Sequence, residues 1–249
     1  MSDLSIIIMA GGLGKRMNSE IPKVLHKVNG KPMLVRVLDT SLQINPEKIL
    51  IVVGKYKDII KNTIEKYISL KNIEFINQLN ANGTGDAIKC CKKSLLNNIS
   101  NKVLILSGDV PLVSKETMYN SLKNLNKCKI VVTKISDPKG LGRVIVKNDK
   151  CIKIVEDKDC NTIEKKINLI NTGIYAFDKY ILCKNIDYIN NNNAQQEYYL
   201  TDIIEIIKNN EKIDIDMYEI SKDKQYELTG VNTQQQLIEL NNLIKIKND

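Results

Sequence analysis

Tryptophan is absent from this chain, phenylalanine occurs twice and histidine once. So few aromatic rings leave no stacking platform for the bases of a nucleic acid, and the formal net charge of +8 is not read as a nucleic-acid surface. The lysines are spread rather than clustered, which describes a solvated face able to draw small polyanions toward a site. No apolar stretch approaches the roughly 20 residues of a membrane span. No basic segment precedes the first apolar run, Ile6 to Ala10 with Leu4 before it, so the expectation is a soluble, cytoplasmic protein with no membrane partner. The six cysteines contain no C-x-x-C pair, and His26 is the one imidazole. A structural zinc centre is therefore not expected, and reduced thiols are. His26, beside Leu25 and Val28, reads as structural, and no nucleophilic dyad is visible.

What is present begins at the first apolar run, which breaks into Ala10-Gly11-Gly12-Leu13-Gly14-Lys15-Arg16-Met17, with Lys23 following Pro22. Three glycines let backbone N–H groups approach an anion, and the cations behind them supply charge, so the segment reads as a phosphate-binding loop; a plain tight turn is the alternative. Met17 breaks the dinucleotide pattern G-x-G-x-x-G, and Arg16 stands where a Walker A loop needs Ser or Thr.

At 249 residues the chain can bury roughly 70 to 75 per cent of its surface without staples. Apolar runs at Leu4 to Ala10, Ile49 to Val53, Val103 to Leu106 and Ile130 to Val132 have the character of strands buried on both faces. Helical periods lie between them: Ile60, Ile64, Tyr67 and Ile68 on one face, Ile88, Cys91 and Leu95 on another, and Met118 with Leu122 behind an N-cap at Ser114. The alternation predicts an α/β fold, a Rossmann-like α/β/α sandwich on a mostly parallel sheet. After about residue 136, shorter strands are expected at Arg143 to Lys147, Cys151 to Glu156 and Leu169 to Phe177. One helix is expected from Thr201-Asp202 with Ile203, Ile206 and Ile207 buried, and a last one with Leu237, Leu240 and Ile244. Neither a linker nor a repeat divides the chain.

Ligands of such sheets bind beyond the carboxyl ends of the strands, which is where the glycine loop, Gly54, Gln78 and Ser107-Gly108-Asp109 fall. Gly83-Thr84-Gly85-Asp86-Ala87 opens a helix whose free N–H groups can face a ligand, or is an ordinary capped turn. Asp109, after a buried strand and before Val110-Pro111, is placed to hold Mg²⁺ beside bound phosphates, helix capping being the alternative. Phosphoryl or nucleotidyl transfer suits a chain without a nucleophile, since cations and positioning stabilise its transition state.

The glycine loop, Pro22-Lys23-Val24-Leu25-His26, Gly83-Thr84-Gly85, Gly108-Asp109-Val110-Pro111-Leu112, Gly142-Arg143, Val155-Glu156, Asn171-Thr172-Gly173, the run Asn191 to Asp202 and Gly230-Val231-Asn232 follow one another in this order. Over nearly the whole chain this pattern resembles the pyrophosphorylase domain of bacterial N-acetylglucosamine-1-phosphate uridyltransferases. The resemblance implies a nucleotidyltransferase fold of the glycosyltransferase-A type. Its single domain spans 1–249, with a nucleotide-binding half at about 1–135, a small sugar-binding lobe at about 136–232 and a C-terminal helix at 233–249. It implies uridylyl transfer from UTP to N-acetylglucosamine 1-phosphate with Mg²⁺ as cofactor, and no second, acetyltransferase activity. Position by position, Gly11, Gly12, Gly14 and Lys15 would hold the nucleotide, and Gln78, Gly83 and Thr84 would read its base. Arg16, Lys23 and Asp109 would act in catalysis, Asp109 and Asn232 on the metal. Gly142, Glu156, Asn171, Glu197 and Tyr199 would recognise the sugar, which also gives the asparagine run a reason other than low complexity.

This sequence departs from the family at Lys15, where Thr is usual, at Ala81-Asn82 before the second glycine turn, and at Ser107 and Leu141, whose positions are commonly aromatic. The departures bear on base and sugar selectivity more than on reaction type. The competing expectations are another sugar-1-phosphate nucleotidyltransferase using glucose 1-phosphate with UTP or dTTP, a cytidylyltransferase sharing the first loop, and a non-catalytic assembly subunit on the same scaffold. Oligomeric state is not legible.

Overall fold

A computed structural model describes residues 3–12 and 14–248. The first half alternates strands and helices: β1 (Leu4–Met9), a small hairpin of β2 (Lys27–Val28) and β3 (Lys31–Pro32), α1 (Met33–Leu42), β4 (Lys48–Val53), α2 (Lys57–Ile64), β5 (Ile73–Asn77), α3 (Thr84–Leu96), β6 (Lys102–Ser107), α4 (Lys115–Leu122) and β7 (Cys128–Lys134). The second half brings β8 (Arg143–Lys147), β9 (Lys150–Val155) and β10 (Leu169–Asp178), then α5 (Lys179–Asn185), α6 (Ile203–Glu211), β11 (Asp216–Glu219) and α7 (Gln234–Asn248).

One sheet carries the strands in the order β11-β7-β10-β6-β1-β4-β5, with β8 and β9 branching from β10. β6, β1, β4 and β5 run parallel to one another, whereas β10 runs antiparallel to both β6 and β7. β1 is buried on both faces, and its alternation divides the core: Ile7 packs with Ile88 and Leu95 of α3, Leu182 of α5 and Ile207 of α6. Ile6 and Ile8 pack with Leu34 and Leu38 of α1, Ile60 of α2 and Met118 of α4. Period-2 strands sandwiched between period-3.6 helices thus make the expected three layers. A third, small cluster of Met17, Val28, Met33, Val231 and Leu240 seats α7 against the hairpin and the glycine loop.

Several local expectations hold. Ser114 caps α4 by accepting from the Thr117 N–H at 3.1 Å, and α6 follows a 3₁₀ turn at Leu200–Asp202. One does not: α2 ends at Ile64, so Tyr67 leaves the buried face and is 45% exposed while Ile68 remains buried. The aromatic was assigned by period alone, and the period applies only as far as the helix runs. Among the described residues no helix is long and apolar enough to cross a membrane.

Candidate active site

The carboxyl ends of β1, β4, β5 and β6 open onto a cleft of about 270 Å³ lined by Gly11, Gly12, Lys23, Gln78, Ala81, Gly83, Thr84, Ser107, Asp109 and Glu197, among others. Backbone bonds set the strand ends level: Ala10 N–H donates to Val52, Gln78 N–H to Val53 and Gly108 N–H to Met9. Apolar strands of similar length end together, so the polar residue after each one arrives at a shared edge.

The cationic corner of the cleft is assembled from distant segments. Lys23 Nζ is paired with Asp109 Oδ2 and donates to Asn232 Oδ1 at 2.9 Å, and Arg16 Nη2 donates to the same Asn232 oxygen at 3.3 Å. Lys23 and Asp109 are only 15% and 19% exposed, so their charges act in a partly desolvated setting. Gly14 makes the approach feasible. It has φ +59°, and a Cβ added to it would lie 2.8 Å from Lys23 Cβ. The Lys15 side chain lies outside the described residues. Because the Asp109 carboxylate and the Asn232 amide oxygen converge on one Lys23 nitrogen, both donors can address a single small hard cation there. Among the described residues no group of three or more His, Cys, Asp or Glu is arranged for a metal. A cation at this corner would therefore complete its shell with phosphate and water oxygens.

At the opposite end, Gln78 is locked rather than free. Its Nε2 donates to the Gly83 carbonyl (3.0 Å) and to Asp86 Oδ2 (2.8 Å), which leaves Oε1 on the side of Gly11. The loop carrying Gly83 and Thr84 is strapped to the segment 197–200. Tyr198 N–H donates to the Asn82 carbonyl, Gly85 N–H to the Tyr198 carbonyl at 2.7 Å, and Leu200 N–H to Thr84 Oγ1 at 3.0 Å. Gly83 sits so close to this strap, at φ +116°, that a Cβ would meet the Tyr198 carbonyl oxygen at 2.5 Å. Residues expected to read a base and residues expected to meet a sugar are thus one hydrogen-bonded unit.

The remaining sugar-side candidates form a second cluster. Gly142, Glu156 and Asn171 meet: a Cβ on Gly142 would stand 3.6 Å from both Glu156 Oε1 and Asn171 Cβ. Asn171, paired with Val132, is the last residue before the β10–β7 register shifts, an irregularity that takes Thr172, Gly173 and Ile174 out of the ladder. Its Nδ2 donates to Tyr175 Oη (2.7 Å) and its Oδ1 accepts from Gly173 N–H (3.2 Å). Gly173 approaches Ser107 of the main cleft, joining the two clusters. Burial raises the Glu156 pKa despite a 3.0 Å hydrogen bond from Thr201 Oγ1. Glu197 lines the main cleft, whereas Tyr199 shares a smaller pocket of about 190 Å³ with Glu156, Asp159, Asn193 and Asp202. Burial, together with Glu156, Asp159 and Glu205, pushes the Asp202 carboxyl up to about 6. Asn193 folds its own loop, donating from Nδ2 to the Glu197 carbonyl at 2.6 Å. His26 takes a structural place, its N–H capping the 3₁₀ turn Lys23–Leu25.

Sequence reasoning missed three contributors: Asp86 behind Gln78, the Tyr198 main chain, and the Thr233–Gln236 turn beside Asn232. The Thr-x-x-Gln spacing was a signal for the last, but such spacings are common at helix starts and name no site.

The profile of the MobA-like NTP transferase domain matches residues 6–164. A protein of Acanthamoeba polyphaga mimivirus, named as a probable UDP-N-acetylglucosamine pyrophosphorylase, is 43% identical over 240 residues, covering 94% of this chain and 93% of that one. Bifunctional protein GlmU of Clostridium botulinum (strain 657 / Type Ba4) is 40% identical over 241 residues, 94% of this chain and 50% of its own. The chain therefore spans about half the length of that bifunctional relative. A Bacillus anthracis crystal structure assigned as a glucose-1-phosphate thymidylyltransferase superposes with a TM-score of 0.72 at 21% identity, over 96% of this chain and 94% of the other, a likeness of fold.

Proposed function

The chain is a nucleotidyltransferase of the MobA-like NTP transferase family, and we propose that it transfers the uridylyl group of UTP to N-acetylglucosamine 1-phosphate in the presence of Mg²⁺. The phosphate oxygen of the sugar phosphate attacks the α-phosphorus in line. One P–O bond forms, the α–β P–O bond breaks, and pyrophosphate leaves with the electron pair, giving UDP-N-acetylglucosamine. No covalent enzyme intermediate takes part.

The observation that carries this reading is the convergence of Arg16, Lys23, Asp109 and Asn232 at one corner of a cleft whose other wall is glycine backbone. In it, Gly11, Gly12 and Gly14 leave room for the triphosphate against backbone N–H groups, and Lys23 and Arg16 neutralise the charge that grows on the leaving pyrophosphate. Asp109 and Asn232 would hold Mg²⁺, which when bound polarises the phosphate under attack. Gln78, held by Gly83 and Asp86, presents a fixed amide edge to the uracil, with Gly83 and Thr84 beside it. Glu156, Asn171, Gly142, Glu197 and Tyr199 orient the acetamido sugar, with Thr201 holding Glu156 and Tyr175 holding Asn171 in place. The name of the mimivirus relative supports the choice of UTP and the acetylated sugar.

Pyrophosphate release by the purified chain tests the reading, with UTP, CTP and dTTP paired against glucose 1-phosphate, glucosamine 1-phosphate and N-acetylglucosamine 1-phosphate. The expected result is preference for UTP with the acetylated sugar and loss of activity when EDTA removes divalent cations. Preference for another pair would overturn the substrate assignment, and silence across the panel would overturn the reaction.

A further inference from the structure

The start of α7 is built around two side chains that the transfer reaction has not used. Thr233 Oγ1 accepts from the Gln236 N–H at 3.2 Å, and Gln236 Oε1 accepts in return from the Thr233 N–H at 3.2 Å, a reciprocal capping box. Gln236 Oε1 also accepts from the Asn232 N–H, and that bond is the shorter one at 2.8 Å. A helix needs only the first pair of bonds; the Asn232 N–H lies outside the helix, so the second serves something else. Two further restraints act on the same place. Val231, fully buried, donates its N–H to the Asp109 carbonyl at 3.0 Å, and Gln234 Nε2 donates to the Met17 carbonyl at 2.9 Å at the end of the glycine loop's 3₁₀ turn. Leu240 and partly buried Leu237 and Ile244 pack α7 onto Met17, Val28 and Met33. The helix is thereby fixed to both loops whose side chains meet at Lys23.

We infer that Gln236 is a positioning residue for nucleotidyl transfer: by holding the Asn232 backbone it keeps the Asn232 side-chain oxygen on the point it shares with the Asp109 carboxylate. The inference rests on the reading above, in which Asp109 and Asn232 would hold the divalent cation. Without the bond from Gln236, the Asn232 peptide is free to turn and its amide oxygen no longer stays at that point. The consequence is weaker use of the cation rather than a lost binding pocket for either substrate. Outer partners that orient a metal's ligands commonly change affinity or activity by about 10- to 100-fold.

The test uses the full chain and titrates Mg²⁺ in the pyrophosphate-release assay. Gln236→Ala is expected to raise the Mg²⁺ concentration for half-maximal rate by about tenfold at an unchanged KM for the sugar phosphate. Gln236→Glu retains an acceptor at the same distance and restores the wild-type titration. Thr233→Ala removes the hydroxyl half of the capping box only, so it lowers the melting temperature while leaving the Mg²⁺ titration as in wild type. Gln236→Asn, one methylene too short to reach, gives the same comparison if the alanine variant does not accumulate. A wild-type Mg²⁺ titration in Gln236→Ala, or an equal shift in Thr233→Ala, overturns the inference. The midpoint of Mg²⁺-dependent thermal stabilisation at fixed UTP is measured in parallel. If no substrate pair releases pyrophosphate the proposed reaction fails, while a displaced midpoint in Gln236→Ala still supports the role of Gln236. Absence of any such stabilisation in wild type overturns it.

Discussion

The two ends of the cleft are built on different physics. The end proposed for the phosphates sits on the carboxyl edge of parallel strands, where backbone is exposed by glycine and the charges of Arg16, Lys23 and Asp109 meet the neutral amide of Asn232. The end proposed for the sugar sits on the antiparallel extension β8–β9–β10, where the contacts are hydrogen bonds beside a bulge and at a buried carboxyl: Asn171 to Tyr175, Thr201 to Glu156. A polyanion is recognised by charge, which tolerates modest displacement because Coulomb attraction falls slowly with distance. An uncharged sugar is recognised by hydrogen bonds, which fail beyond a few tenths of an ångström. The first kind of site can be assembled from loops, whereas the second needs a sheet beneath it.

Four substitutions probe that contrast. The largest effect is expected at the charged end: Lys23→Ala should lower kcat by about 10² to 10³, roughly 3 to 4 kcal/mol of transition-state stabilisation, measured by steady-state pyrophosphate release with folding checked by circular dichroism. Near-normal turnover would remove Lys23 from the chemistry. At the seam between the two ends, Gly83→Ala drives a methyl into the Tyr198 backbone and requires φ +116° of a residue with a Cβ. A stability loss of about 2 to 3 kcal/mol is expected from the urea midpoint, with KM rising for both substrates; a loss confined to one substrate would mean the strap does not couple them. At the sugar end, Glu156→Gln should raise KM for the sugar phosphate by about tenfold, about 1.4 kcal/mol, and leave KM for UTP alone. A rise for UTP instead would erase the division between the ends.

The smallest effect concerns pH. The folded-state pKa of Asp202 is raised to about 6, above the value of an unfolded aspartate, so the folded protein binds this proton more tightly and stability falls as pH rises through the interval between them. Asp202→Asn removes that penalty. After discounting for the partial exposure of the site, the gain should be about 1 kcal/mol at pH 8 and vanish near pH 3, below both pKa values. A gain that persists undiminished at pH 3 would assign the effect to packing.

How far the sequence could be read differs between the same two regions. β1, β4 and β6 were legible because each is a continuous apolar run, the pattern that burial on both faces demands, and Asp109 was legible because it follows such a run. The α2 face was over-read, since helical spacing continues to Tyr67 although the helix stops at Ile64. Asn171 was named by resemblance alone: no periodicity marks a bulge. The coupling of Asn82 and Gly85 to Tyr198 joins distant segments and lies in main-chain bonds, which depend on no residue type a reader could notice.

By itself, then, the order of residues determined the layers of the fold and the kinds of groups available to it, because hydrophobic period and glycine placement act locally along the chain. Only the tertiary structure decided that Lys23 stands between Asp109 and Asn232, that Gln78 is pinned by Asp86, and that the Asn232–Gln236 turn meets Lys23 and Arg16. The Lys23 contacts join segments 86 and 209 positions apart, whereas the Gln78–Asp86 and Asn232–Gln236 bonds are close in sequence and owe their partners across the cleft to the fold. The energies of the Lys23 contacts depend on distances set by the packing of the whole sheet, and no local stretch of sequence contains them.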